Sequence, residues 1–540
     1  MLVGIGFSQK LYNYWKKTYT FEQTQDIMNI TDKSTYHHWI SNIHPDSILP
    51  EEVCRDLNVD DLFEGLDYTT SCIGKQYLYH LLCTDKVSEV KSHEALIQTF
   101  TEKPEVRQKL IQTLKPLGNP DAYTIASLLA EDKHEYSSRY LMILQVCRWL
   151  PLLFTGLIFI FPSSPLPFLF LLVAYIGNGI IHFREKNKQL KYFFSIPQLS
   201  RLLQIAEKLT KENIFLEVDK GIIPTVSRLN RLKRKLKAFR FGLKLEGDGA
   251  ALAYLFTEFL NIFFLAASLN IITSIIALSD KKEDIAHIFR FVGILDVLCS
   301  IAILRERLPY WCHPASVSGK GLHTQAIYHP LIKGCVANDL SLSNKSALIT
   351  GSNMSGKTSF IRTIAINLMT GKALNTCFAH RYEMDLSCRL YSVIHTEDDL
   401  LEGKSYFFKE AENVKNALQQ GESGNCLLIF DELFKGTNTT ERIAINAATF
   451  SKLADAGNIV LASTHDLELA EILKDKYDLY HFCETVTNDK LSFDYTLKPG
   501  VVKEGNAIRI LELCGYPEDA GRESGSGSAD APGTERSSWQ

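Results

Sequence analysis

The sequence lacks an excess of charge of either sign: 58 Lys+Arg face 62 Asp+Glu, a formal net charge of −4 over 540 residues. A chain so balanced is not drawn as a whole to nucleic acid or anionic membrane, and any basic surface has to be local. Its 12 cysteines form no CxxC pair and no zinc-ligand spacing, and a chain of this size is no disulfide scaffold. Free thiols in a reducing compartment are expected. The opening stretch, MLVGIGFSQKLYNYWKK, has no signal-peptide apolar core and no cleavage site. With 46% hydrophobic and 22% charged residues, the composition excludes a wholly disordered chain, a collagen-like fibre and a polytopic transporter. At roughly 100–200 residues per domain, the length allows two to four domains.

Charge is absent altogether from Trp149 to Phe183. The turn Phe161-Pro162-Ser163-Ser164-Pro165-Leu166-Pro167 divides that run into two apolar halves. The second is slightly short of the ~20 residues that span a bilayer, and the first reaches that length only by accepting Arg148. Residues 143–183 read as a transmembrane helical hairpin, against the alternatives of a hairpin buried in a helical domain or an apolar patch joining two copies. Arg184, Lys186, Lys188 and Lys191 follow at once, as a cytoplasmic flank would. Two spans leave both flanking regions cytoplasmic, which makes the chain a multi-pass, membrane-associated protein with cytoplasmic termini. A second charge-free stretch, Phe259 to Ser279, is interrupted by Asn261, Asn270, Thr273 and Ser274 and favours a long buried helix over a third span. The segment from His287 to Leu304, with Arg290 and Asp296 in an amphipathic pattern, reads as a soluble core helix.

Around this insertion the text is helical. Residues 1–50 form an N-terminal helical segment, and 51–310 a helical domain with apolar residues at three- and four-residue spacing. Within it, 228–240 reads RLNRLKRKLKAFR, with Leu229, Leu232, Leu236 and Phe239 on one face and seven Lys/Arg around them. A solvated face over an apolar stripe is the plain reading; contact with DNA or anionic lipid is the sharper one. From about 325 to 518 short apolar runs alternate with helical segments, the pattern of an α/β domain with a largely parallel sheet. The Gly/Ser-rich residues 519–540 are expected to be disordered.

The strongest signal is Gly351-Ser352-Asn353-Met354-Ser355-Gly356-Lys357-Thr358-Ser359, between the strand-like SALIT and a helical stretch. It fits GxxxxGK[ST] in the strand–loop–helix context that a phosphate-binding loop needs. Glycines let backbone N–H groups converge on phosphate oxygens, and the helix N-terminus adds its positive dipole end. Lys357 would reach the outer phosphates and Thr358 would ligate Mg²⁺. CLLIFDEL then places Asp431 and Glu432 at a strand end, where a buried acid pair is costly unless it meets a metal or a water. Asp431 would hold Mg²⁺, and Glu432 would orient or deprotonate the attacking water. After a further strand, His465 of STHD is a candidate γ-phosphate contact.

TGSNMSGKTSFIR, DELFKGTNTTER and STHD, in this order, resemble the ATPase domain of the MutS family, whose mark is the asparagine–methionine pair inside the loop. Similar segments cover about 51–130 and 285–515. The resemblance implies an α plus α/β protein: an all-helical region like the MutS core, here with an apolar hairpin inserted, followed by an ABC-like P-loop ATPase domain. It implies ATP and Mg²⁺ as cofactors, a homodimer through the ATPase domains, and DNA as partner. GKSYFFKEAENV (403–414) is similar to the loop that carries a serine to the partner subunit's nucleotide, which makes Ser405 a γ-phosphate contact in trans, supported by Phe407 and Glu410. Cys335 stands where relatives place an aromatic residue beside the adenine, and Tyr495 is the candidate aromatic on the other side. No counterpart of the mismatch-reading domain is found in this sequence, so a membrane-linked variant lacking that domain is expected, its ATPase coupled to binding of mismatched or branched DNA, with mismatch recognition itself left open. The alternative is a membrane-anchored mechanical ATPase that does not bind DNA.

Overall fold

The computed structural model describes residues 33–130, 138–239, 258–317, 319–352, 354–394, 406–487 and 490–501. The chain divides into two compact units, Met1–Ile48 with Asp60–Pro309 and Leu49–Val59 with Tyr310–Gln540. The first is helical among the described residues, and the second alternates strands with helices.

The first unit is built on α1 (Thr35–Ile43), α2 (Cys72–Leu82), α3 (Glu94–Glu102), α4 (Ser138–Ile160), α5 (Leu166–Leu209), α6 (Ile222–Phe239), α7 (Ala266–Ser279) and α8 (Lys282–Arg307). Its post is α8, which packs against α2, α3 and α6. By length and composition α8 is apolar enough to cross a membrane, yet its apolar window is 83% buried inside the protein. Polar pins explain why. Asp296, halfway along α8, accepts hydrogen bonds from Thr70 N (2.9 Å), Ser71 N (2.7 Å) and Ser71 Oγ (2.5 Å). The carboxylate thereby caps the N-terminus of α2, where the helix dipole favours negative charge. The crossing is close enough to demand glycine: a Cβ on Gly74 would lie 2.2 Å from Asp296 Oδ2, and one on Gly293 2.8 Å from Tyr77 Cβ. Arg290 and Arg305 close ion pairs to Glu89 and Glu94.

The charge-free stretch behaves differently. α4 and α5 pack on each other around the 161–165 turn, but their candidate membrane windows are only 11% and 17% buried. Met142, Val146, Leu153, Phe159, Phe168, Val173 and Ile180 are all more than half exposed. The lower part of α5 then enters the core through Ile196, Leu199, Leu202, Leu203 and Ala206. The stretch 259–279 is not one long helix: it breaks at Leu265, whose φ is +48°, and α7 covers the base of the hairpin. In the basic helix α6, Leu229 and Leu232 are buried, and Arg228 is spent on Asp284 at 2.5 Å. The side chains of 231 and 233–240 lie outside the described residues, as do 1–32 and the 519–540 tail.

In the second unit the central sheet runs β11-β8-β3-β7-β6-β5: Lys498–Pro499, Tyr477–His481, Ser346–Thr350, Ile459–Thr464, Cys426–Asp431 and Arg389–Val393. All neighbours pair in parallel except β11. The inner strands are buried almost end to end and mostly apolar, as strands covered on both faces are: α9 (Lys357–Leu374), α10 (Tyr406–Gly421), α11 (Thr439–Asp455) and α12 (Leu467–Leu473) follow in turn. A three-stranded antiparallel sheet, β2-β1-β4 (Asn338–Ser343, Gly321–Ile327, Arg381–Met384), stands beside a two-stranded ribbon of β10 (Lys490–Phe493) and β9 (Glu484–Thr487). The helix Glu51–Asp56 belongs here, not with the helices that follow it in sequence, because Asp56 Oδ2 accepts from Ser392 Oγ (2.7 Å) and Ile394 N (3.0 Å).

Burial pushes the Asp296 carboxyl up to about 6, against the opposing hydrogen bonds from Ser71 and Thr70. Its folded value lies above the ordinary 3.8, so its contribution to stability is complete below about pH 4 and is lost as pH rises through 6. A shift of about two units corresponds to about 3 kcal/mol. Unfolding followed by circular dichroism from pH 4 to 7 is expected to show that loss in the parent and a flatter profile in Asp296→Asn.

Candidate functional site

Three stretches far apart in sequence meet at the carboxyl edge of the parallel sheet, because β3, β7 and β6 are neighbours. Thr350 pairs with Thr464 and Asp431 with Ser463, so the loops leaving those strands lie side by side. In open α/β sheets this edge is where ligands bind.

The glycine-rich loop leaves β3 through Gly351 (φ +145°), where a Cβ would lie 2.5 Å from the Phe482 carbonyl oxygen. Gly356 (φ +106°) starts α9. Lys357 is buried, and its ammonium curls back to donate to the carbonyls of Gly351 and Ser352, both at 2.8 Å. Burial lowers its pKa, opposed by Glu432, whose Oε1 is 3.4 Å away. An anion arriving at the loop would relieve this desolvated cation. Ser355 turns inward, donating to the Ser352 carbonyl at 2.8 Å. Met354 takes a left-handed backbone (φ +68°) and is 82% exposed. Asn353 lies outside the described residues.

Thr358 Oγ1 donates to Asp431 Oδ2 at 2.7 Å, and Ser463 Oγ holds the other oxygen. One hydroxyl and one carboxylate are the hard oxygen donors that Mg²⁺ takes when waters and phosphates complete its shell. Among the described residues no three His, Cys, Asp or Glu side chains cluster as a metal site.

Glu432 and Phe434 both adopt left-handed backbone (φ +49° and +60°), an arrangement that persists only when the surroundings hold it. Glu432 accepts from His465 Nε2 at 2.6 Å and from Lys435 Nζ at 2.9 Å. Burial works to raise this carboxyl, but the bonds from His465 and Lys435 outweigh it and hold it well below the usual carboxylate range. Phe434 N donates to the buried Glu410 Oε1 at 2.6 Å, and the Phe407 ring lies 5.6 Å from that of Phe434. The start of α10 is thereby tied to the acid turn; Ser405, just before it, lies outside the described residues. The turn bearing His465 is fixed by Arg442, which clamps Asp466 at 2.6 and 2.8 Å.

A cleft of about 480 Å³ opens beside the loop, with Ser352, Met354, Gly356, Lys357, Thr358, Ser359, Glu432 and Tyr495 on its wall. Asp431 and His465 stand behind it, reaching it through Thr358 and Glu432. Cys335 and Val336 line the far end. Tyr495 (φ +52°) stacks on Phe493, and a Cβ on Gly356 would come 3.2 Å from its ring. Sequence reasoning missed what holds it there. Asn338 donates from Nδ2 to the carbonyls of Tyr495 (3.0 Å) and Val336 (3.2 Å), and its Oδ1 accepts from Leu497 N (2.7 Å). One asparagine clasps two walls of the cleft. Lys435, Ser463 and Arg442 were missed too, since each acts through a contact to another side chain.

An open α/β domain with hydroxyl, ammonium, imidazole and carboxylate groups at the carboxyl ends of its strands defines the class. Residues 347–524 match the family model described as MutS domain V. The chain is 30% identical over 245 residues to a DNA mismatch repair protein MutS of Natronomonas pharaonis, covering 44% of this chain and 28% of that protein. It is 30% identical over 271 residues to the DNA mismatch repair protein MutS 2 of Halobacterium salinarum (47% and 30%), and 28% identical over 242 residues to a MutS of Thermus thermophilus (44% and 29%). The likeness to MutS proteins runs through this domain. The match spans less than a third of each of these relatives.

Removing the Asn338 clasp leaves three backbone groups to find other partners, at about 1–3 kcal/mol each when buried. In Asn338→Ala, hydrogen exchange at the Leu497 amide, read on a peptide covering 493–499, is expected to accelerate on the order of tenfold or more.

Proposed function

We propose that this chain binds ATP with Mg²⁺ and hydrolyses it at the 351–359 loop. The observation that carries this reading is the convergence of Lys357, Glu432 and His465 within 3.4 Å of one another beside the Thr358–Asp431 bond. Lys357 exchanges the loop carbonyls for phosphate oxygens, and the backbone N–H groups around Gly356 receive the rest. Thr358 and Asp431 hold Mg²⁺, which neutralises phosphate charge when bound. Glu432 is ionised at neutral pH and accepts a proton or a hydrogen bond from the attacking water. His465 and Lys435 keep that carboxylate aimed from the strained turn. Tyr495 supplies an aromatic wall for the base.

The active form is a dimer closed through the domain V faces, with Ser405 of the partner subunit reaching the γ-phosphate. The exposed Met354 on the cleft and the exposed Phe407 and Phe408 at the start of α10 support this reading, since exposed large apolar side chains favour a protein partner. DNA is the partner that the relatives' names suggest, and it is held by the helical unit. The second reading, an ATPase attached to a membrane and acting without DNA, is favoured by the exposed apolar faces of α4 and α5.

The first test is the steady-state ATPase rate of detergent-solubilised protein. Lys357→Ala is expected to lose activity through weak phosphate binding. Glu432→Gln is expected to keep ATP binding while turnover falls at least a hundredfold; turnover at the parent rate would refute the assignment. Adding homoduplex, mismatched and branched DNA separates the two readings. Stimulation that falls with salt and with charge reversal at Arg231, Lys233, Arg234 and Lys237 marks a nucleic-acid machine. A rate indifferent to every DNA and changed by anionic lipid marks the membrane reading.

A further inference from the structure

The base of the hairpin is collared and its upper arms are bare. Leu265, Leu269 and Ile272 cluster with Leu144, and Tyr140, Leu141, Cys147 and Ile181 pack on them. Phe259 meets the Tyr175 ring at 5.6 Å. Polar groups gather at this same height. Asn178 Nδ2 donates to the carbonyls of Cys147 (3.2 Å) and Phe263 (3.3 Å), and His182 Nε2 lies 3.1 Å from Glu258 Oε1. Gln145 is exposed, and Arg148 follows one turn on. The collar's own backbone breaks here, at the left-handed Leu265. A helix break and five polar side chains in one layer are costly in hydrocarbon. The layer marks where head groups and water begin.

Among the described residues, Trp149–Ile160 and Leu166–Gly177, twelve residues each, stand above that layer, joined by the 161–165 turn. At 1.5 Å per residue each arm rises about 18 Å. A whole hydrocarbon core measures ~30 Å, and a single leaflet about half of that. Trp149, 56% exposed, stands at the rim, the level that interfacial aromatics prefer. The tip is economical in hydrogen-bond donors: Pro162, Pro165 and Pro167 have no N–H. Phe161 N donates to the Leu157 carbonyl (2.9 Å), Ser164 N to the Phe161 carbonyl (3.1 Å) and Leu166 N to Ser164 Oγ (3.4 Å).

We propose that the hairpin dips into one leaflet of a bilayer and returns, its Pro–Ser–Ser–Pro tip near the midplane, without crossing. This rests on the membrane reading above and replaces two spans with one shallow insertion. Ser163 is then the deepest point of the chain and Gly156 lies shallower. Two full spans would reverse that order, bringing Ser163 to the far head groups and leaving Gly156 deeper.

The order is measurable. Ser163→Cys and Gly156→Cys, the latter facing open space, are labelled with an environment-sensitive fluorophore in the full chain and reconstituted into phosphatidylcholine–phosphatidylglycerol vesicles. The parent, labelled in parallel, sets the background from native thiols. Lipids brominated near the acyl-chain ends or near the head group then quench by depth. The expected result is at least twofold stronger quenching at Ser163 by deep than by shallow bromines, with the preference weaker or inverted at Gly156. Deep quenching at Gly156 with head-group quenching at Ser163 would overturn the one-leaflet proposal and leave a spanning hairpin. No quenching at either position would overturn the membrane reading itself.

Discussion

Thr358 and Asp431 are separated by 73 residues and joined by a 2.7 Å hydrogen bond, and much of the candidate site is a consequence of the strand order that brings them together. β3 delivers the loop, β6 the acid turn and β7 the histidine, and because β7 lies between the other two, each motif emerges beside the next. Parallel pairing is what makes this work: antiparallel neighbours would send their loops to opposite edges. Asp431 then serves as the junction, one oxygen to Thr358 of the loop and the other to Ser463 of the central strand.

Around this junction, charge is balanced locally. Lys357, buried, is met by backbone carbonyls and Glu432; Glu432 is met by His465 and Lys435; Asp466 is met by Arg442. Buried charges are tolerable when paired in this way. The left-handed residues Glu432 and Phe434 show that the turn is shaped by its contacts, Glu410 among them, and not by local preference.

What was legible in the sequence followed from local pattern. The strand–loop–helix around Gly351–Ser359 and the apolar strand ending in Asp431 are written in consecutive residues, and so is the helical text before 310. The clasp at Asn338 is not, because its partners lie at 495–497 and only the fold brings them near. Length and hydropathy alone do not separate α8 from the hairpin, since both are long and apolar; the reading of 287–304 as a core helix rests on Arg290 and Asp296. Their difference is carried by single residues: Asp296 finds a helix N-terminus to cap and Arg305 finds Glu94, whereas Leu153 and Phe168 stay more than half exposed. Leu265 shows the limit from the other side, a backbone break inside a charge-free run that no glycine or proline announces.

α5 runs for 44 residues, with Pro197 inside it, from the bare hairpin arm into the buried core. At 1.5 Å per residue it is a rod about 66 Å long. Its upper end answers to whatever surrounds the hairpin, and its lower end is gripped by Leu199, Leu202 and Ala206. One backbone thus belongs to two environments, and a displacement of the exposed arm is carried along it to the packed end.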